Sequence, residues 1–255
     1  MGRRCRFLVS NCLRYLSLLA ILLIVTSLHA QETCSEEVKL LLSPAQVQAA
    51  ITALKGRQET HGRVYFYDTP ALDLLSKGVI LRFRDREEVD LTAKLRPLPG
   101  DKFVNPSGVR DGYKCEVDFN DGVETESFSV VNKYLTAKAP VSGKELFQRL
   151  SEGQKRLLQD AKIQIDWKRV KRIAEIQSTS WTSRAEPPLG KLSVELWEWS
   201  GGHLLEVSTR AAPDAGQATF AELRDLANRK KLALDANQRS KTTIALGEIT
   251  AAHQQ

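Results

Sequence analysis

The stretch "VILRFRDREEVDLTAKLR" (residues 79–96) alternates basic and apolar side chains in two consecutive runs. Arg82 and Arg84 share one face of the first run, and Lys94 and Arg96 share one face of the second. Strict alternation is typical of half-buried strands, and two such runs around a short charged link predict a β-hairpin. This hairpin would set rows of like charge side by side, which destabilises a sheet unless another group neutralises them.

The rest of the chain predicts a sheet built mainly from hairpins. Further strands are indicated at residues 36–43, 62–70, 113–119, 124–135 and 163–177, and a second hairpin turns at Gly201 and Gly202. A helix is predicted over residues 142–162, beginning with a capping box of Ser142 and Glu145. With about eight strands, three helices and few strand–helix–strand crossovers, the sheet should be largely antiparallel and the fold class α+β.

Charged side chains recur on one face of strand after strand. For a single strand, a solvated outer face is the simplest explanation, since half-exposed antiparallel strands are common. For six strands together a second arrangement is open, in which helices cover the apolar faces and the charged faces line the inside of a barrel. Arginine and lysine would then hold the phosphate oxygens of a polyanion. Carboxylates would hold a hard divalent cation such as Mg²⁺ or Mn²⁺, which prefers oxygen ligands.

Four segments, in this order, carry a resemblance to a known family. They read "EVKLLL", "YFYDTPALDLLSKGVILRFRDRE", "LTAKLR" and "CEVDF". Together they resemble the CYTH domain of the triphosphate tunnel metalloenzyme superfamily, over most of residues 35–243. The resemblance implies an eight-stranded antiparallel closed tunnel with helices packed outside. It also implies that the tunnel binds a triphosphate compound together with Mg²⁺ or Mn²⁺.

The resemblance assigns candidate roles to the charged side chains. The candidates for binding phosphates are Lys39, Arg82, Arg84, Lys94, Arg96 and Arg172, to which the charged tail of the chain adds Lys241. The candidate metal ligands are Glu37, Glu116, Glu195 and Glu206. Glu37 is also the candidate catalytic residue, because a metal held there would polarise a terminal phosphoryl group for attack by water.

The opening motif departs from the family pattern. The family shows Glu-x-Glu-x-Lys, and the same spacing here begins with Ser35 and continues to Glu37 and Lys39. Glu36 cannot replace the missing acid, because a shift of one residue points a side chain to the other face of a strand. Ser208 likewise stands where a second acid is often found, two residues after Glu206. Fewer carboxylates weaken a metal site but leave anion binding intact.

Three hypotheses follow from these residues. The first is a metal-dependent hydrolase that acts on a triphosphate or polyphosphate. The second is a non-catalytic module that binds phosphorylated anions and has lost turnover. The third is an α+β domain whose polar faces simply meet water. The fold alone does not choose among them.

The first thirty residues predict export. "MGRRCRFLVSNCLR" is a positively charged start, and "YLSLLAILLIVTSL" is an apolar segment shorter than the roughly 20 residues that span a bilayer. Cleavage is predicted after Ala30, with retention as an anchor as the alternative. A cleaved chain would consist of one domain, residues 31–255, without a stable membrane span. The predicted location is secreted or periplasmic.

Four cysteines are divided by this cleavage. Cys5 and Cys12 would leave with the signal peptide, so the mature chain keeps Cys34 and Cys115. In an oxidising compartment such a pair forms a disulfide if the geometry allows, and otherwise the two remain free thiols. The sequence contains no CxxC motif and no Cys/His cluster, so a zinc site is not expected.

The net charge does not predict a nucleic-acid partner. The chain carries a formal charge of +6, and four arginines without an acidic residue in residues 1–30 leave only two positive charges for the remainder. Any cationic function must therefore be local. The predicted partner is a small phosphorylated anion.

Overall fold

The predicted hairpin forms two adjacent strands of a barrel. In the computed structural model, which describes residues 34–96, 113–134 and 136–252, β3 (Val79–Asp85) pairs antiparallel with β4 (Val89–Leu95). Arg82 lies opposite Thr92. The predicted signal peptide lies outside the described residues.

Seven more strands and five helices complete the described part of the chain. The strands are β1 (Ser35–Leu42), β2 (Arg57–Asp68), β5 (Lys114–Asn120), β6 (Val123–Tyr134), β7 (Lys171–Arg184), β8 (Lys191–Trp199) and β9 (Gly202–Ala211). The helices are α1 (Val47–Leu54), α2 (Gly143–Arg149), α3 (Glu152–Asp160), α4 (Gly216–Arg229) and α5 (Lys241–Ala252). The α+β class is confirmed, and residues from Cys34 onward form one compact unit.

The strands close into a barrel in the order β1-β5-β6-β4-β3-β2-β7-β8-β9. The expectation of eight antiparallel strands is wrong, because the barrel has nine and β1 pairs with β5 in parallel. The two differences have one geometric cause. Strands that alternate in direction around a ring must be even in number, so a ring of nine needs at least one parallel pair.

Helices cover the apolar outer face of the barrel on two sides. Helices α2 and α3 pack against a buried cluster that includes Leu81, Phe83 and Leu91. Helices α1 and α4 pack against a second cluster around Leu40 and Val194. These side chains alternate with the charged ones along the strands, so the charged side chains point into the barrel.

Helix α5 packs across one end of the barrel. Its residues Ile244 and Leu246 join a buried apolar cluster with Leu41, Ile80 and Trp197 from the inner faces of three strands. The barrel interior is therefore apolar at the end beneath α5 and polar along the rest of its length.

Two predicted elements differ from the sequence expectation. The strand predicted at 163–177 is wrong in its first half, since β7 begins at Lys171. The Asp166 side chain accepts a hydrogen bond from the Lys168 amide at 3.1 Å, and this local turn competes with a strand. The helix predicted at 142–162 is split into α2 and α3, because Ser151 forms a full capping box with Gln154 and starts a new helix.

The turn between β2 and β3 is held by Asp68, part of the "YFYDT" segment. Its carboxylate is buried and accepts hydrogen bonds from the amides of Thr69, Leu74 and Leu75 at 2.6–2.8 Å. Burial raises the pKa of Asp68, although these three amides oppose the shift. This part of the family-like segment is therefore structural.

Cys34 and Cys115 form a disulfide, which decides between the two alternatives left open by the sequence. Their Cα atoms are 4.7 Å apart, inside the range of disulfide geometry. The bond joins the segment entering β1 to β5, the two strands that form the parallel pair. It closes a loop with a sequence separation of 81 residues.

Candidate functional site: a basic tunnel inside the barrel

The polar interior of the barrel is a tunnel of about 300 Å³. Of the residues that the structure describes, nine basic side chains line it, compared with four acidic ones. The basic ones are Lys39, Arg82, Arg84, Arg86, Lys94, Arg96, Lys114, Arg210 and Lys241, and the acidic ones are Glu37, Glu116, Glu195 and Glu206. This excess of positive charge in an enclosed space favours an anionic ligand.

Asp118, on β5, is the centre of the largest charge network in the wall. Its fully buried carboxylate lies 2.5 Å from Lys39 Nζ and 3.5 Å from Lys94 Nζ, and it accepts a hydrogen bond from Arg96. Burial would raise the pKa of Asp118, but Lys39, Arg96 and Lys94 outweigh it and hold that pKa well below its usual range. The carboxylate therefore fixes three cations in the tunnel wall.

A second network lies at the inner end of the tunnel, next to α5. Lys241 contacts both Glu195 and Glu206, with its Nζ 2.7 Å from Glu206 Oε1. The same ammonium lies 4.6 Å from the centre of the Trp197 ring. Arg86 contacts the other oxygen of Glu195. Burial opposes ionisation of Glu195, yet Lys241 and Arg86 keep its pKa well below the usual value.

Arg82 is half-buried and differs from the other arginines of the tunnel hairpin in its lack of a carboxylate partner. Among the described residues it has no carboxylate within ion-pair distance, whereas Arg84 pairs with Asp90 at 2.8 Å. The Arg82 Nε is buried and has no hydrogen-bond partner. Burial and the neighbouring Arg84 lower the pKa of Arg82 to about 9. A buried nitrogen without a hydrogen-bond partner is costly, and an anion entering the tunnel would supply an acceptor for the half-buried Arg82 side chain.

The pKa values of Lys94 and Glu116 are also shifted by burial and by neighbouring charges in the tunnel wall. Burial, followed by Arg96, lowers the pKa of Lys94 to about 8, although Lys94 lies 3.1 Å from Glu116. Burial acts against ionisation of Glu116, but Lys94 and Lys114 lower its pKa to about 2. The acid is thus ionised near neutral pH, while the lysine holds its proton less firmly than usual.

Ser35 and Glu36, in the altered opening motif of β1, both make structural hydrogen bonds. Ser35 Oγ donates a hydrogen bond to the Cys115 carbonyl at 3.3 Å, which ties β1 to β5. Glu36 points away from the tunnel and accepts hydrogen bonds from the amides of Asp214 and Gly216, at the start of α4. Glu36 thus provides the N-terminal cap that Ala215 cannot provide.

The structure brings together ten of the eleven residues predicted for the site. The ten that line one tunnel are Glu37, Lys39, Arg82, Arg84, Lys94, Arg96, Glu116, Glu195, Glu206 and Lys241. Arg172 lies apart from them, exposed on β7, with its guanidinium carbon 5.3 Å from the centre of the Tyr65 ring. The register between β2 and β7 shifts beside Phe66 and Tyr67, so alternation counted along β7 does not hold at Arg172.

Sequence reasoning missed Asp118 as the organiser of the site. Its place on the polar face of β5 was visible from its spacing to Glu116, but the sequence carries no sign that three cations converge on it. Arg86 was likewise visible as the third arginine of the first run. Arg210 sits at the end of β9, where no pattern marked it as part of the tunnel.

The tunnel carboxylates do not form a ready metal site. Each of the four predicted ligands is already held by at least one lysine or arginine. Among residues 34–96, 113–134 and 136–252, a close group of three ligand side chains occurs only at Cys34, Cys115 and Glu126. The disulfide removes both thiolates from that group. Among the described residues, the predicted Mg²⁺ or Mn²⁺ ligands Glu37, Glu116, Glu195 and Glu206 do not form a close group of three ligand atoms.

Solved structures of other proteins share the fold of this chain. The sequence matches no family model and no curated protein. A candidate adenylyl cyclase from Hippeastrum, which has a dominant triphosphatase activity, superposes with a TM-score of 0.58 at 18% identity. The match covers 82% of this chain and 93% of that one. A candidate adenylate cyclase from Bacillus halodurans gives 0.55 at 15% identity, covering 82% and 96%. The chain thus shares the fold of these two proteins, and its closed barrel agrees with the closed tunnel that the CYTH resemblance implied.

Proposed function

We propose that the tunnel binds a triphosphate or polyphosphate anion. The observation that carries this proposal is Arg82, a half-buried arginine in the basic wall whose Nε is buried without a hydrogen-bond partner and which has no carboxylate partner among the described residues. A phosphate oxygen offers the charge and the hydrogen-bond acceptors that this group lacks. Arg84 lies on β3 with Arg82, and Lys94 lies on the neighbouring strand β4. Both would hold phosphoryl groups next to the one that Arg82 binds.

The fold comparison supports the class of ligand. The Hippeastrum protein has a dominant triphosphatase activity, and the two proteins share their fold. A shared fold does not transfer an activity by itself, so the charge pattern of this tunnel carries the argument. A solvated outer face, the third hypothesis from the sequence, would not enclose nine cations in a cavity.

Calorimetric titration with inorganic triphosphate tests the proposal. We expect saturable binding of one triphosphate per chain, weakening as salt is raised, because the contacts are ionic. Citrate serves as a multivalent anion without phosphate and should bind more weakly. Arg172→Met is the matched control, since it removes an arginine outside the tunnel and should leave affinity unchanged. Absence of triphosphate binding, or equal binding of citrate, would refute the proposal.

Hydrolysis is the second candidate function, and Glu37 is the observation that favours it. Among the described residues its carboxylate pairs only with Lys39, at 3.0 Å, and its side chain is 29% exposed. It is therefore the predicted acid that a metal or water could reach most easily. Phosphate release from triphosphate with added Mg²⁺ or Mn²⁺, compared between the wild type and Glu37→Gln, tests this function. Release that depends on Glu37 would establish an enzyme, and binding without release would leave a binding protein.

We also propose that the protein is exported. The Cys34–Cys115 disulfide supports this, because such bonds persist in oxidising compartments such as the periplasm and the extracellular space. None of the helices in the described part of the chain is long and apolar enough to cross a membrane. Cell fractionation followed by N-terminal sequencing should recover a chain that begins at Gln31. A full-length chain in the cytoplasm would contradict export.

A further inference from the structure

Lys241 occupies the position between two facing acids of the tunnel. Glu195 and Glu206 are direct cross-strand partners on β8 and β9. Two carboxylates facing each other across an antiparallel pair destabilise the sheet unless a cation lies between them. The Lys241 ammonium contacts both, and it is delivered by the first residue of α5. A positive charge is therefore built into the chain at this point.

The position of Lys241 is fixed from several directions. Its side chain is only 14% exposed and lies over the face of Trp197. The helix that carries it is anchored by Ile244 and Leu246 in the apolar cluster at the end of the barrel. Arg86 neutralises the second oxygen of Glu195 from the opposite direction. The ammonium is thus part of the packed interior and not a mobile surface charge.

Glu116 and Asp118 are each paired with more than one cation, whereas Glu37 is paired with Lys39. Glu116 holds Lys94 and Lys114, and Asp118 holds Lys39, Lys94 and Arg96. At the two positions where the sequence departs from the expected acids, Ser35 bonds to a backbone carbonyl and Ser208 offers a neutral hydroxyl. Among the described residues, a divalent cation entering this tunnel would meet no carboxylate that is free of a lysine or an arginine contact.

We propose that Lys241 takes the place of a divalent metal ion, so that the tunnel binds its phosphorylated anion without metal. This inference rests on the proposed function for its ligand, but not for its statement about the cation. An ammonium supplies one positive charge to Glu195 and Glu206 without the six oxygen ligands that Mg²⁺ or Mn²⁺ requires. The basic wall then neutralises the anion directly.

The first arm of the test measures metal binding in the absence of any anion. Mn²⁺ is titrated into the full chain, and the free ion is followed by electron paramagnetic resonance. We expect the wild type to bind Mn²⁺ at least tenfold more weakly than Lys241→Ala, in which Glu195 and Glu206 are freed. Lys241→Arg keeps a cation between the acids and should behave as the wild type. Equal Mn²⁺ affinity of the wild type and Lys241→Ala would overturn the proposal.

The second arm needs no variant and therefore does not depend on the folding of Lys241→Ala. Inorganic triphosphate is titrated into the wild type in EDTA and again with excess Mg²⁺. We expect affinity in EDTA to equal or exceed that with Mg²⁺, because Mg²⁺ neutralises the ligand. Binding that disappears in EDTA would overturn the proposal while leaving the proposed function standing. Absence of binding in both conditions would refute the proposed function, and the Mn²⁺ titration would still decide the role of Lys241.

Discussion

Arg82 and Arg84 show how neighbouring residues of one type can have different roles. Both lie on the tunnel face of β3, but Arg84 is paired with Asp90 and Arg82 is unpaired among the described residues. The sequence predicts that both face the same way, since they are two positions apart on a strand. It does not predict the pairing, because Asp90 reaches Arg84 only through the register of the hairpin.

Lys94 gives a prediction at the same scale, on pH. Its lowered pKa of about 8 means that a growing fraction loses its charge as pH rises through 8. Triphosphate affinity should then fall by about tenfold, the loss expected for a hydrogen bond to a charged group. Calorimetry between pH 7 and pH 9.5 measures this decrease. Lys94→Arg stays charged and should show a flatter profile, and identical profiles for the two proteins would contradict the role of Lys94.

At the scale of elements, β5 joins the parts of the tunnel wall. It pairs with β1 in parallel and with β6 in antiparallel, and Asp118 bridges from β5 to Lys39 on β1 and to Lys94 on β4. Two interactions therefore join β1 to β5 within a few residues of each other. They are the buried network around Asp118 and the Cys34–Cys115 disulfide. Both lie where the alternation of strand directions is broken.

Removal of the Asp118 charge should destabilise the protein strongly. Asp118→Asn leaves Lys39, Lys94 and Arg96 without their shared partner in a buried site. We expect a loss of about 3–5 kcal/mol in the free energy of unfolding, measured by chemical denaturation. Glu175→Gln is the control, because it breaks only an exposed pair with Arg63 and should cost less than about 1 kcal/mol. Similar effects for the two variants would mean that the network contributes little.

Strands were predictable from the sequence, and local irregularities were not. The hairpin of β3 and β4 follows from strict alternation, and most of the tunnel face follows from it. The shift of register beside Tyr67 and the turn at Asp166 are local features without a sequence pattern, so Arg172 lies outside the tunnel and its strand begins later than predicted. The capping of α4 by Glu36 joins residues about 180 positions apart, which no local pattern records.

At the scale of the whole molecule, the barrel is closed laterally by the parallel pair and at one end by α5. Closure removes the free strand edges and separates a polar interior from apolar clusters outside. The number of strands could not be obtained from the sequence, because closure depends on which distant strands become neighbours. The polar interior could be predicted, because charged faces recur on six strands. A solvated outer face is a simple explanation for one strand but not for six together.

The disulfide should contribute to the stability of the whole barrel. Cys34→Ser combined with Cys115→Ser is expected to lower the free energy of unfolding by about 2–5 kcal/mol, given the long loop that the bond closes. Denaturation of the double variant, and of the wild type with and without reductant, measures this loss. A double variant as stable as the oxidised wild type would show that hydrogen bonding between β1 and β5 suffices.

Replacement of Arg82 by methionine tests the central claim most directly. The claim is that this unpaired cation is kept for an anion at a cost in stability. Calorimetry with triphosphate and thermal unfolding are measured on Arg82→Met and the wild type. The account predicts that affinity falls by about tenfold or more while the melting temperature stays equal or rises by about 2–4 °C. Unchanged affinity, or a variant that melts well below the wild type, would contradict it.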